Sequence, residues 1–203
     1  MKKLLAVLLI VACSALWAEE EAGDASGNDL DPVLKGLHST MSGGIFAVVG
    51  GKAADYADPI GSVVNLSFGY DLQIVDAFSL GLSAKFGILQ LNTVTTQSAS
   101  PWYKTGDYAP IVVGADISPT YCIDERWEIG ANVSIDYNMM AKAKDSSGKE
   151  QSGFLVVGGG VDAEYYTYAR HFSFGMMAEF NYIVNFDGFG VTVMPYLKYS
   201  FGI

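Results

Sequence analysis

A chain of 203 residues with 23 Gly, 11 Phe, 12 Tyr and 3 Trp suits one domain with a sizeable core, and all-β is the first fold class to test. Its formal charge of −10 argues against nucleic acid as a partner, and two cysteines cannot frame a disulfide scaffold. With only two histidines besides, neither a metal nor a cofactor is expected.

The chain opens "MKKLLAVLLIVACSALWAEE": two lysines, an apolar run from Leu4 to Ala12, then small residues and an acidic start. This is the pattern of an export signal over residues 1–18, since the run is about half of the roughly 20 residues that a spanning helix needs. Ala18 follows Leu16 at the spacing a signal peptidase reads. The quartet Ile10, Val11, Ala12, Cys13 also resembles a lipoprotein box, in which Cys13 would carry the lipid. Cleavage after Ala18 removes Lys2 and Lys3 and takes the charge from −10 to −12. Either way Cys122 is the one thiol of the fold, and no intrachain disulfide is expected.

Residues 19–40, "EEEAGDASGNDLDPVLKGLHST", are acidic and rich in Gly, Asp and Ser, with little periodicity. They read as a mobile periplasmic leader, and His38 as a solvated linker histidine. From residue 41 to 203 the pattern is regular. Strands are predicted over 42–51, 61–73, 77–89, 107–122, 127–140, 153–167, 172–184 and 190–203. Their connections alternate: 74–76, 123–126 and 168–171 are tight, "KAADYADPI", "QLNTVTTQSASPWYKTGD" and "AKAKDSSGKEQS" are long and polar, and 185–189 is of moderate length. Alternating short and long turns predict an eight-stranded antiparallel up-and-down barrel.

The strands separate into two faces, as successive side chains of a strand must. In "AFSLGLSAKFGILQL", Phe78, Leu80, Leu82, Ala84, Phe86 and Ile88 oppose Ser79, Gly81, Ser83, Lys85 and Gly87. In 127–140, Trp127 to Met139 on one face oppose Glu128, Asn132 and Asp136 on the other. A soluble barrel would turn the apolar face inward and a membrane barrel outward. Aromatics decide between them: Tyr70, Phe78, Tyr121, Trp127, Tyr165, Phe172, Tyr199 and Phe201 all fall on the apolar face beside the tight turns. Such sorting marks a membrane interface, here a periplasmic aromatic girdle, because these rings collect at headgroup depth. The apolar face therefore meets outer-membrane lipid.

The last strand, "VTVMPYLKYSFGI", alternates to the chain end with Phe201 two residues before Ile203. It looks like the C-terminal signature of bacterial outer-membrane barrels, although those usually finish in Phe or Trp. By architecture, over 41–203, the chain resembles the small eight-stranded outer-membrane proteins, the group of the OmpW, OmpX and opacity-type barrels. The resemblance implies the outer membrane of a diderm bacterium, both termini periplasmic, loops outside, insertion by the barrel assembly machinery, and roles from adhesion to passage of small hydrophobic molecules. A monomer is expected.

Catalytic constellations are thin, and no enzyme is expected: His171 sits in a tight turn opposite the loops, so an external triad has no base. Gly158, Gly159 and Gly160 lack the following helix and basic residue of a phosphate cradle and read as a place where a strand bends or a bulky neighbour crosses the lumen. The predicted lumen carries Asp71, Asp116, Glu128, Asp136, Asp162, Glu164 and Glu179 with Asn132, against only Lys85 and Lys198. Eight strands leave an interior that side chains just fill. A packed polar network is expected there, with a cation-accepting path as the sharper alternative. Two functions follow. A surface-binding or structural barrel would act through its external loops, with Trp102, Tyr103 and Tyr108 touching a ligand. A transporter of small hydrophobic molecules would instead need an apolar funnel at the top of the lumen, from Phe46, Val48, Phe154 and Val156.

Overall fold

The computed structural model describes residues 35–51, 60–91, 110–144, 150–167 and 171–201; residues 1–34, with Cys13, and the loop aromatics Trp102, Tyr103 and Tyr108 lie outside the described residues. Eight strands follow one another: β1 (Leu37–Gly51), β2 (Ile60–Val75), β3 (Phe78–Leu91), β4 (Ile111–Cys122), β5 (Trp127–Lys144), β6 (Glu150–Tyr166), β7 (Phe172–Ile183) and β8 (Gly188–Ser200). Each pairs antiparallel with its chain neighbours, and β8 closes on β1. The closed all-β, up-and-down barrel read from the sequence is thus the fold.

The boundaries differ in informative places. β1 starts at Leu37, so Leu37 to Thr40, expected in the leader, form barrel wall, and His38 is buried rather than solvated. β8 stops at Ser200, and the Phe201 amide donates to the Leu37 carbonyl at 2.8 Å, finishing the seam. The moderate connection is a single 3-10 turn over Val184–Phe186, followed by Asp187 at φ 47°, and it tucks Phe186 out of solvent entirely.

Register fixes the shape. A circuit along directly opposed residues runs Leu37, Tyr70, Leu82, Ile117, Val133, Gly159, Phe180, Val191 and returns to β1 at Ala47, ten residues beyond its start. A shear of ten over eight strands at standard spacings means a tilt of about 40°, so each residue climbs roughly 2.5 Å along the barrel axis. The end carrying the short connections, the turn end, holds residues 76–77 and 123–126; the loop end holds the long ones.

Outward positions are apolar and open: Phe68, Phe86, Val133 and Phe180 are 55–58% exposed. Inward positions on the same strands, such as Lys85, Asn132, Ser134 and Glu179, are at most 5% exposed. Burying the charged face and presenting the apolar one to the surroundings is stable only when those surroundings are lipid, and the closed ladder leaves no sheet edge within that lipid.

Candidate functional site

The aromatic girdle locates the membrane along the barrel. Phe78 stands opposite Tyr121, Trp127 opposite Tyr165 with ring centres 5.0 Å apart, and Phe172 opposite Tyr199 at 4.8 Å; Phe201 stacks edge-on against Tyr199 at 5.0 Å. Tyr70 is five residues from the end of β2, yet it pairs with Leu37 at the seam. Following the register and the tilt, all eight rings lie within about 7 Å of one level. Sequence reasoning missed a second group: Tyr137, Tyr182 and Phe189 face outward toward the loop end, with Tyr182 and Phe189 5.3 Å apart. They stand roughly 25 Å above the first ring, the height of the apolar band of such barrels. The alternation pattern contained them, but they adjoin no tight turn.

Between the two levels the lumen is stratified. At the turn end, Lys35 Nζ lies 2.5 Å from Glu128 Oε1, while the Tyr166 hydroxyl donates to Glu128 Oε2 at 3.0 Å and the Cys122 thiol to Oε1 at 2.8 Å. One layer up, Lys198 Nζ sits 2.7 Å from Asp71 and 3.5 Å from Glu164, and His38 Nδ1 lies 3.2 Å from the same Asp71 oxygen. Tyr196 Oη reaches Asp162 at 3.2 Å and Glu164 at 3.3 Å, so one hydroxyl proton serves two carboxylates. In the middle of the barrel Lys85 Nζ bridges Asp116 at 2.9 Å and Asp136 at 3.0 Å, and Asn132 donates to Glu179. All ten expected polar residues therefore face the lumen.

The expected charge count is corrected. Lys35 and His38, read as leader, add two basic groups to Lys85 and Lys198. Their alternation in "LKGLHST" is short and sits beside an acidic, glycine-rich run, which hid it. Seven carboxylates still exceed three lysines and one histidine among the described residues. The polar surfaces line a cavity of about 100 Å³, bordered by His38, Asp71, Lys85, Asp116, Asp162 and Lys198 among others. It has room for several waters.

Glycines make that cavity. Asp71, Asn65, Asp136, Asp162, Asn132 and Asn181 are directly opposed by Gly81, Gly87, Gly114, Gly130, Gly160 and Gly158. In each pair a side-chain oxygen occupies the space a Cβ would take, so the acid or amide lies flat along the wall and the centre stays open. Of the two readings of this glycine run, a strand bend or a crossing neighbour, Gly158 and Gly160 fit the second, whereas Gly159 has no side chain against it.

Toward the loop end the lumen changes character. Phe46, Val48, Val63, Leu89, Val112, Phe154, Val156, Ile183, Phe186 and Met194 form one buried apolar cluster, with the Phe154 and Phe186 rings 5.6 Å apart, edge to face. The four funnel candidates are members of it, packed at 2–6% exposure rather than lining an opening. Only a cavity of about 30 Å³ separates this layer from Lys85 and Glu179.

No protein-family model matches the chain, and no curated protein matches it. Among solved structures, neisserial surface protein A is similar with a TM-score of 0.57 at 11% identity, over 81% of this chain and 97% of that one. The attachment invasion locus protein Ail of Yersinia pestis is similar with a TM-score of 0.47 at 17% identity, over 82% and 99%. At these identities likeness speaks for the fold alone: the chain folds as a small eight-stranded outer-membrane β-barrel.

Proposed function

We propose that this protein is an integral outer-membrane barrel with a closed lumen, which acts at the cell surface through its loops as a binding or structural protein. The observation that carries this reading is the apolar layer over the polar chamber, with Phe154 and Phe186 2% and 0% exposed. A hydrated ion cannot cross a packed apolar layer without shedding its water, at a cost of several kcal/mol or more. Residues 1–18 act as the export signal, the assembly machinery inserts the strands, and both termini face the periplasm. Passage of small hydrophobic molecules, the alternative, needs an opening at Phe46, Val48, Phe154 and Val156, which the packing of Phe186 opposes.

Two measurements test the proposal. Refolded protein in planar bilayers should give no discrete conductance steps; regular steps in every active bilayer would overturn the closed-lumen reading. An epitope inserted at Ser147 should be labelled on intact cells, whereas one at Glu125 should not. The reverse pattern would invert the orientation and remove the loops from the surface.

A further inference from the structure

The tight turn between β4 and β5 is shaped by one side chain. Asp124 Oδ1 accepts from the Arg126 and Trp127 amides at 2.8 Å each, and the Ile123 amide donates to the Trp127 carbonyl at 2.8 Å. The turn sends Arg126 sideways onto the outer wall. Its guanidinium Nη1 donates at 3.0 Å to the hydroxyl of Tyr165, an outward ring of the girdle whose centre lies 5.0 Å from that of Trp127. Among the described residues at the turn end, Arg126 is the one lysine or arginine on the outer surface, since Lys35 points into the lumen at Glu128. An arginine at headgroup depth, steadied by a tyrosine and beside a tryptophan, presents a planar fork of donors where lipid phosphates lie. Asp124 and Glu125, both exposed, put two carboxylates in the same turn.

The wall above the turn continues the feature. Register sets Ala163 between Ile129 and Met176, and Ala178 between Val161 and Val193. The four flanking side chains are 42–63% exposed, so in each row an alanine is a gap between two projecting neighbours. With the tilt of the wall, Trp127, Ala163 and Ala178 stand one above another along the barrel axis at intervals of about 8 Å. They form a shallow apolar groove that runs along the membrane normal from the girdle to the midplane.

We propose that this face holds a phospholipid of the turn-side leaflet whose phosphate carries a primary ammonium. Arg126 and Tyr165 take the phosphate, Glu125 and Asp124 take the ammonium, and one acyl chain lies in the groove over Ala163 and Ala178. Two observations favour this occupant over a protein or a second copy: the groove is continuous with the lipid-facing wall, and the turn offers a cation and carboxylates side by side, as a zwitterion requires. A purely anionic headgroup would be drawn by Arg126 and repelled by its neighbours. The site concerns the wall alone, so it stands or falls separately from what the loops bind and whether the lumen conducts.

Full-length protein carrying Trp17→Phe and Trp102→Phe keeps Trp127 as its one tryptophan, at the neck of the groove. It is refolded into phosphatidylcholine vesicles, and folding is checked by the heat-modifiable band. Brominated phosphatidylethanolamine should quench Trp127 at about a fivefold lower mole fraction than brominated phosphatidylcholine or phosphatidylglycerol. Arg126→Gln should bring the three lipids within about twofold of one another, and Ala163→Phe, which fills the groove and leaves the headgroup residues in place, should do the same. Glu125→Gln should raise phosphatidylglycerol toward phosphatidylethanolamine. Ala84→Phe, at an exposed outward alanine on the far side of the barrel, should leave the preference as in the parent protein. Equal quenching by the three lipids in the parent protein, or an unchanged preference in Arg126→Gln or Ala163→Phe, would overturn the site. Strongest quenching by phosphatidylglycerol would reject the zwitterion in favour of plain charge attraction. Displacement of the phosphatidylethanolamine by inorganic phosphate at constant ionic strength would reject the lipid and leave Arg126 a simple anion contact.

Discussion

Substitution of Lys85 by Met tests whether the central ion cluster holds the barrel together. Lys85 is 5% exposed and, among the described residues, is the only cation within 3.0 Å of Asp116 and Asp136, whose side chains are 16% and 13% exposed. Removing one partner of a buried pair costs about 3–5 kcal/mol, because the partner keeps its desolvation penalty without its counter-charge. Two carboxylates are stranded here, which pushes the cost up, but Lys85 also borders the cavity of about 100 Å³, whose waters soften it. A loss of about 3 kcal/mol is expected, read as a lower midpoint of urea unfolding for protein refolded in lipid. Adding Asp136→Asn removes one of the two stranded charges and should restore roughly half of the loss, a coupling that a double-mutant cycle isolates. Lys85→Met within about 0.5 kcal/mol of wild type, or no recovery in the double variant, would refute the idea that these charges stabilise one another.

Val133, 55% exposed and about five residues' rise above the aromatic ring, lies at the membrane midplane; Val133→Arg should cost about 2–4 kcal/mol of barrel stability, whereas Ser83→Lys, which faces Asp116 inside, should cost less than about 1 kcal/mol. A Cβ at Gly44 would press on the Val193 carbonyl and lie 2.8 Å from Met194 Cα, both backbone of β8, so Gly44→Ala should lower stability by about 1–3 kcal/mol, while Gly43→Ala, with 3.7 Å of clearance, should stay near wild type on the same unfolding curves. Phe186→Ala, which empties a fully buried site against Phe154, should cost about 3–5 kcal/mol by urea unfolding and leave the heat-modifiable band in place at room temperature.

Most of the wall was legible because lipid and lumen impose opposite chemistry on a two-residue period. Val133 beside Asn132 and Ser134 can be sorted without knowing any partner strand. The rule fails where the lumen itself turns apolar: Val63, Leu89, Val112 and Ile183 face inward and look, residue by residue, like lipid-facing positions. Their inward aim is visible only in phase with polar residues further down the same strand. His38 and Lys35 were lost for another reason, since their alternation spans only "LKGLHST" and abuts an acidic, glycine-rich run that carries no period. The six glycines opposite acids and amides were visible as glycines, but which carboxylate each accommodates is a matter of register between strands, and register is not written in either strand alone.

The tilt of the wall sets how far the longest hairpin reaches. At roughly 2.5 Å of climb per residue, an apolar band about 25 Å tall is crossed in about ten residues. β5 has 18 and β6 has 17, and both start or end at the turn-end ring. Their far portions must therefore stand about 20 Å clear of the lipid. There the wall is no longer closed: β4 accompanies β5 only as far as Met139, opposite Ile111, and β7 accompanies β6 only from Val156, opposite Ile183. Beyond those points, among the described residues, β5 and β6 pair as strands only with each other, through Lys144 and Glu150, while Leu155 donates its amide to Asn185 Oδ1 at 2.9 Å and Phe154 packs on Phe186. The molecule thus carries a two-stranded ribbon outside the bilayer, with outer edges whose amides and carbonyls answer to water instead of to a neighbouring strand, and its length is a direct product of the shear that closes the barrel below it.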